Sequence, residues 1–362
     1  AYRCAGGRVA AITGSNGKST TTSLAGAMLR QAGFDARVCG NIGQPFSAVV
    51  PDPDDVSSAP VYVVEASSFQ LESVETFHAE AAALLNLVPD HLDRHADFDA
   101  YRAAKAKIFA HFSDGDVAVL NADDPALDVV APTAGRRRYF SRRRPVEDGC
   151  YLDGDRVVEA IPGEAARTIF TTSDVPLPGP HNLENAMAAA LLAHALGAAA
   201  ADIRRGLHGF TGLPHRSQKV GEVDGVEYFD DSKGTNLAAT LGSLSGFEDG
   251  RVLIVLGGIF KGGELDELAR LVARKARHAY LIGESAGRFE KALRAFPGMT
   301  ADVEVCGTLE RAVAKASNDA RPGDVVLLSP ACSSFDQFSD YAERGRTFQR
   351  LVHSLEGVAR GA

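Results

Sequence analysis

Short unbroken apolar runs at 8–13, 61–65, 81–87 and 117–121 read as strands buried on both faces. Longer stretches between them, such as 18–32 and 99–112, have the length of helices. Strand alternating with helix predicts a mostly parallel sheet covered on both sides. From about 136 to 175 the rhythm changes to short polar–apolar alternations broken by Gly, Pro and Asp, which predicts a small antiparallel excursion. Two Ala-rich helical stretches follow at 182–196 and 200–209, then a turn at Gly212-Leu213-Pro214. Beyond it, strand runs at 226–230, 251–256, 279–282 and 324–328 again alternate with helical pattern. The expected fold class is therefore α/β. A central P-loop-type domain over 1–212 is followed by a Rossmann-like domain over 213–362, each long enough to bury its own core.

Composition narrows the function class. A net charge of −9 disfavours a nucleic-acid surface. The local exception is Arg136, Arg137, Arg138, Arg142, Arg143 and Arg144 around Tyr139 and Phe140, expected to be a solvated hairpin face. The five cysteines are scattered without CxxC spacing, which suits a reducing compartment. No apolar run approaches the ~20 residues of a membrane span, and no signal-peptide pattern opens the chain. The expectation is a cytoplasmic, monomeric enzyme with no nucleic-acid or membrane partner.

Gly14-Ser15-Asn16-Gly17-Lys18-Ser19-Thr20 lies between a strand and a helix, where backbone N–H groups and the positive helix end favour phosphate oxygens. Lys18 can reach terminal phosphates and the Ser19 hydroxyl can sit on Mg²⁺. Ile12 stands where the general eight-residue motif has its first glycine, so an ordinary strand-to-helix turn remains the competing reading. Glu65 ends a Val-rich strand, where doubly wound sheets present metal and substrate ligands. His91 follows the 81–88 run near the same edge, although a loop histidine is more often plain surface. Lys105 lies on an Ala-rich helix, and solvent exposure is the commonest fate of that residue type.

The wording and order of ten segments go further, and the chain is identified as resembling the Mur ligases along nearly its whole length. The first five are Gly14-Ser15-Asn16-Gly17-Lys18-Ser19, Gly40-Asn41-Ile42-Gly43, Glu65-Ala66-Ser67-Ser68-Phe69-Gln70-Leu71-Glu72, Asp90-His91-Leu92-Asp93-Arg94 and Tyr101-Arg102-Ala103-Ala104-Lys105. The other five are His181-Asn182-Leu183-Glu184-Asn185, Gly212-Leu213-Pro214-His215-Arg216, Asp231-Ser232-Lys233-Gly234-Thr235-Asn236, Gly257-Gly258-Ile259-Phe260-Lys261 and the run from Ser329 to Phe338.

The resemblance implies an ATP-dependent amide ligase that adds D-glutamate to UDP-N-acetylmuramoyl-L-alanine in peptidoglycan precursor synthesis. Gly14, Asn16, Gly17, Lys18, Ser19 and Thr20 would bind ATP phosphates. Ser19, Glu65, His91 and Lys105 would form the metal cluster, with two Mg²⁺ ions expected and Lys105 carbamylated into a carboxylate-like ligand. Asn182 and Asn185 would contact the adenine side, and Arg216 and Asp231 would close over the nucleotide. His215, Lys233, Thr235, Lys261, Ser334, Phe335 and Tyr341 would surround the amino acid, and Asn41 and Ser67 the muramoyl part. Lys18, His91, Lys105 and Arg216 carry the catalytic expectation. Two departures stand out. Family members begin with a domain of about 90 residues holding the uridine diphosphate, and here the phosphate loop comes a dozen residues in, so a fragment is expected. Tyr341 stands where the family often has Phe.

Within the class, an L-glutamate-adding enzyme, a sibling Mur ligase or a folylpolyglutamate-type ligase are the alternatives. Siblings that add diaminopimelate or lysine would carry an Asn-Pro-Arg type motif, which is absent from this sequence. Outside the class stand a P-loop phosphotransferase and a non-catalytic nucleotide-binding module. The two-site reading further expects a hinge near Gly212.

Overall fold

The computed structural model describes residues 2–50, 59–89 and 94–359, with the side chains of the last helix only as far as 355. His91 and its neighbours 90–93 thus lie outside the described residues. The chain divides into two compact units, 1–176 with 182–211, and 177–181 with 212–362. The turn-flanking segment Leu177–His181 belongs with the second unit rather than the first.

In the first unit the described residues form one nine-stranded sheet. Its strands are β1 (Arg8–Thr13), β2 (Ala36–Gly40), β3 (Val61–Glu65), β4 (Ala81–Leu84), β5 (Val117–Asn121), β6 (Arg136–Ser141), β7 (Gly149–Asp153), β8 (Arg156–Ala160) and β9 (Arg167–Thr171). They lie in the order β2-β3-β1-β4-β5-β6-β7-β8-β9. Every pairing from β2 to β7 is parallel, and only β7–β8 and β8–β9 are antiparallel. The chain leaves β1 toward β2 and β3 on one side, then crosses to β4 on the other. The carboxyl end of β1 is therefore a topological switch point, the place where open α/β sheets hold ligands.

The helices of this unit are α1 (Lys18–Gln31), α2 (Phe46–Val49), α3 (Ser68–Glu72), α4 (Phe98–Ala106), α5 (Pro180–Ala195) and α6 (Ala200–His208). α5 is apolar all round because it is buried all round, its residues 186–193 being fully inaccessible. α6 packs tightly on α1: a Cβ on Gly206 would come within 2.6 Å of the Met28 Cα, so a glycine there lets the two backbones approach.

The arginine-rich segment corrects an expectation. It is not a hairpin, since β6 pairs in parallel with both of its neighbours, although Arg136, Arg137, Arg143 and Arg144 are exposed as expected. Arg138 is buried and donates to Glu159 at 2.7 Å and to Asp148 at 3.0 Å. Arg136 also pairs with Asp148, Arg142 with Glu184 and Arg167 with Glu159. Acids supplied by β8, α5 and the β6–β7 loop thus pair with Arg136, Arg138 and Arg142, whereas Arg137 and Arg144 donate to backbone carbonyls. Burial alone would raise the Glu159 carboxyl. Hydrogen bonds from His194, Arg138 and Arg167 hold it instead at about 2.

The second unit carries β10 (Gln218–Val223), β11 (Val226–Asp230), β12 (Val252–Gly257), β13 (Ala276–Ile282), β14 (Asp302–Gly307) and β15 (Val325–Leu328), in the order β10-β11-β15-β12-β13-β14. Only the β10–β11 hairpin is antiparallel. It turns through Asp224 and Gly225, both at positive φ, as a two-residue hairpin turn requires. Around the sheet run α7 (Leu237–Ser245), α8 (Asp266–Lys275), α9 (Ala286–Ala295), α10 (Leu309–Asp319) and α11 (Tyr341–Ala359). β15 is last in sequence yet lies between β11 and β12, so that three strands present their carboxyl ends side by side.

Several strands escape the sequence pattern. β2, β10 and β14 carry charged or Gly-interrupted alternations that look like loop, and only pairing to a neighbour makes them strand.

Candidate active site

The loop after β1 is braced by its neighbours in the fold. Gly14 and Gly17 have φ of 152° and 84°, and a Cβ on Gly17 would sit 2.2 Å from the Asn185 Oδ1. Glycine is obligatory at Gly17 on both counts. Asn86, just beyond β4, accepts from the Asn16 N–H at 2.8 Å and donates to its carbonyl at 3.1 Å. The Ser15 hydroxyl bonds the Tyr101 hydroxyl at 2.9 Å and the Val88 backbone. Lys18 folds back to donate to the Gly14 and Ser15 carbonyls, both at 2.9 Å. Ser19 and Thr20 are buried in the first turn of α1.

Glu65 and Lys105 converge on this loop from different elements. Glu65 is paired in register with Ile12 of β1 and is 2% exposed. Its Oε1 accepts from the Asn41 side chain at 2.9 Å, while its Oε2 is sealed from solvent with no hydrogen-bond partner among the described residues. An orphaned buried carboxylate oxygen is costly, and a bound cation would satisfy it. Lys105 is 2% exposed rather than solvated. Its Nζ donates to the Gly14 carbonyl at 2.8 Å, lies 3.4 Å from the Thr13 hydroxyl, and stands 4.8 Å from the Tyr101 ring centroid. Among the described residues no three His, Cys, Asp or Glu side chains cluster as a metal cage. The oxygen donors that the described residues offer a Mg²⁺ ion there are the Ser19 hydroxyl and the Glu65 carboxylate.

Other first-unit residues fall nearby. Asn185 accepts from Thr21 of α1 and donates to Asn182, so both asparagines are packed against the loop helix. Asn41 is exposed, its N–H held by the Glu65 carbonyl at 2.9 Å. Ser67 caps α3, accepting from the Gln70 N–H at 3.2 Å.

In the second unit the site candidates line the carboxyl ends of β11, β12 and β15. Asp231 is buried, accepting from the Ser217 N–H at 3.1 Å and the Ser329 hydroxyl at 2.7 Å. Burial pushes its carboxyl up to about 7, against the pull of those hydrogen bonds and of the Arg216 charge. His215 is buried at φ 62°, its ring bonded to Asp230 at 2.7 Å, and its carbonyl accepts from the Lys233 N–H at 3.0 Å. Its imidazole is thus engaged inside the unit and fixes the loop carrying Arg216. The Lys233 ammonium sits 3.7 Å above the Tyr341 ring, an arrangement that Phe would also provide. Thr235 donates its N–H to the Lys233 carbonyl. Lys261 and Phe335 are exposed, whereas Ser334, next to Phe335 in the chain, is buried. Burial raises the Cys332 thiol to about 12, so it stays protonated and is no nucleophile at neutral pH. All five cysteines are unpaired.

Asn86 and Tyr101 were given no role from the sequence, although Tyr101 opens one of the ten segments, and Arg344 had no sequence signal. The first two brace the loop. Arg344 is buried and bonded to Ser232 and Cys332, a position that its polar, Arg- and Glu-rich helix conceals.

Residues 12–193 match the description of a Mur ligase middle domain and residues 215–332 that of a Mur ligase glutamate ligase domain. The chain belongs to the Mur ligase family, whose members couple ATP, with Mg²⁺, to amide formation. It is 43% identical over 351 residues to the UDP-N-acetylmuramoylalanine–D-glutamate ligase of Pelotomaculum thermopropionicum, covering 96% of this chain and 75% of that protein. It is 42% identical to the ligase of the same name from Acidobacterium capsulatum, covering 98% and 75%. Among solved structures, a pseudomurein peptide ligase type C from Methanothermus fervidus superposes at a TM-score of 0.68 with 17% identity, over 97% of this chain and 79% of that one. A MurF ligase from Thermotoga maritima, solved with ADP, does so at 0.68 and 19%, over 97% and 81%. At such identities the superpositions speak for the fold alone. Among the described residues no helix is long and apolar enough to cross a membrane.

Proposed function

We propose that this chain joins D-glutamate to the alanyl carboxylate of UDP-N-acetylmuramoyl-L-alanine, with cleavage of ATP to ADP and phosphate, as a cytoplasmic monomer. The observation that carries the reading is the convergence of Glu65, with its orphaned oxygen, and Lys105 on the phosphate loop. The names of the relatives support the choice of acceptor and amino acid. On this reading residues 1–212 bind ATP and 213–362 bind the amino acid.

A carboxylate is a poor acyl donor, so the γ-phosphoryl group passes to a carboxylate oxygen of the acceptor and ADP leaves. Loop N–H groups, Lys18 and Arg216 neutralise the charge that spreads over the transferring oxygens. Mg²⁺, as two ions, supplies further positive charge there when bound. Ser19, Glu65 and His91 would hold it, together with Lys105 once CO₂ has added to the amine and a proton has left. A carbamate turns the Lys105 cation into an oxygen donor beside Glu65, which suits a hard metal. The glutamate amine, oriented by Lys233, Thr235, Lys261, Ser334, Phe335 and Tyr341, attacks the acyl carbon. The tetrahedral intermediate loses a proton and expels phosphate, leaving the amide. Asn182 and Asn185 take the adenine side, Asp231 and Arg216 cover the nucleotide, His215 joins the residues around the amino acid, and Asn41 and Ser67 flank the muramoyl part.

Acceptor labelled with oxygen-18 in its alanyl carboxylate tests the chemistry. Label appearing in the released phosphate is the expected result. Phosphate carrying none of it would rule out the acyl phosphate.

A further inference from the structure

Arg344 is the largest side chain that the second unit buries completely. Its Nε donates to the Ser232 hydroxyl at 2.9 Å, and its Nη2 donates to the carbonyls of Ser232 at 2.8 Å and Cys332 at 3.1 Å. The Ser232 hydroxyl in turn donates to the Tyr341 carbonyl at 2.7 Å. One guanidinium thus fastens together the loop after β11, the loop after β15 and the first turn of α11. No carboxylate lies within ion-pair distance of it among the described residues, and its Nη1 has no hydrogen-bond partner there. That nitrogen faces Gly258, where an added Cβ would come within 3.4 Å. Burial draws the guanidinium down to about 10. Asp336, Asp230 and Asp231 act on it only through space, and a buried cation with no carboxylate in contact is a poor stabilising device. Its worth lies in geometry, because a planar fork can bind three acceptors in fixed directions and an ammonium cannot.

We propose that Arg344 is a positioning residue for the incoming amino acid, fixing the Lys233–Thr235 loop against the Ser334–Phe335 loop. The inference rests on the reading that these two loops hold glutamate. Two of its three acceptors are backbone carbonyls of residues adjoining those loops, so its loss displaces Lys233 and Ser334 without removing any group that touches substrate. The phosphate loop, on the other unit, is left as it was.

Steady-state kinetics on the intact protein separate the possibilities. Arg344→Lys and Arg344→Met are expected to raise KM for D-glutamate by about tenfold or more, with KM for ATP within about twofold. Added guanidinium ion is expected to recover part of that loss in Arg344→Ala. Should the Arg344 variants fail to fold, Ser232→Ala, which removes one of the three acceptors and the hydroxyl's own bond to the Tyr341 carbonyl, is expected to show the same split more weakly. A folded Arg344→Met with unchanged KM for glutamate would overturn the proposal. So would a parallel rise in both KM values that tracks a falling unfolding temperature, the mark of a merely structural residue. Wild-type turnover that ignores glutamate would overturn the underlying reading along with it, whereas glutamate-dependent wild type beside an indifferent Arg344→Met removes this inference alone.

Discussion

The two units share an α/β plan but assemble their sites differently. In the first, one contiguous loop supplies the phosphate-binding backbone, and Glu65 and Lys105 are brought to it by a neighbouring strand and a helix. In the second, the candidate residues come from three strand ends, the segment before β10 and the start of α11, and many of their side chains are already engaged within the unit: Asp231 with Ser329, His215 with Asp230, Lys233 with Tyr341. Contiguity makes a site legible and hard to alter. A distributed site depends on buried supports that never touch the ligand.

If the first unit is as locally determined as this, removing one group at its loop should be the gravest injury. Lys105→Ala is expected to lower turnover by about a thousandfold. Partial recovery with short carboxylic acids would mark the lost group as a carbamate. Full activity of the untreated variant would remove Lys105 from the chemistry.

Away from the loop, the same unit should respond in stability alone. Arg138→Ala strands Glu159 with fewer partners and is expected to cost about 3–5 kcal/mol, read from denaturant unfolding, with KM for ATP unchanged. A coupled loss of ATP affinity would show that the arginine cluster and the loop are not independent. Gly17→Ala joins the two effects, since the new Cβ meets Asn185 at positive φ. A loss of about 1–3 kcal/mol and weaker nucleotide binding by calorimetry are expected.

The second unit should show its dependence on buried supports as a pH effect. The folded Asp231 carboxyl, lifted from 3.8 to about 7, holds its proton more tightly than the unfolded chain does. Its contribution is therefore whole below the unfolded value and is lost as pH rises through 7. Asp231→Asn is expected to flatten the fall in stability of the wild type across that window; an unchanged profile would assign the slope to other groups. Smallest of all, Phe335→Ala removes a side chain that is 69% exposed. Stability should move by less than about 0.5 kcal/mol, while KM for glutamate rises a few-fold.

The same contrast governs how much could be read beforehand. β1, the glycine loop and α1 follow one another in sequence, and an apolar run, two positive-φ glycines and a lysine announce them. Glu65 was legible because it ends a continuous Val-rich strand. The burial of Lys105 was not, since an Ala-rich helix shows no distinct polar face from which to judge its orientation. Asn86 and Arg344 act on backbone groups, and backbone acceptors leave no trace in side-chain pattern. The arginine cluster misled for a related reason: the acids that pair with Arg136, Arg138 and Arg142, namely Asp148, Glu159 and Glu184, are scattered along the chain and meet it only through sheet pairing and helix packing.

The most direct test of the account is phosphate release by the purified protein across a panel of amino acids, both enantiomers of glutamate included, with and without UDP-N-acetylmuramoyl-L-alanine. Release that requires acceptor and D-glutamate together is the predicted result. Release without either of them, or a preference for L-glutamate or another amino acid, would contradict it.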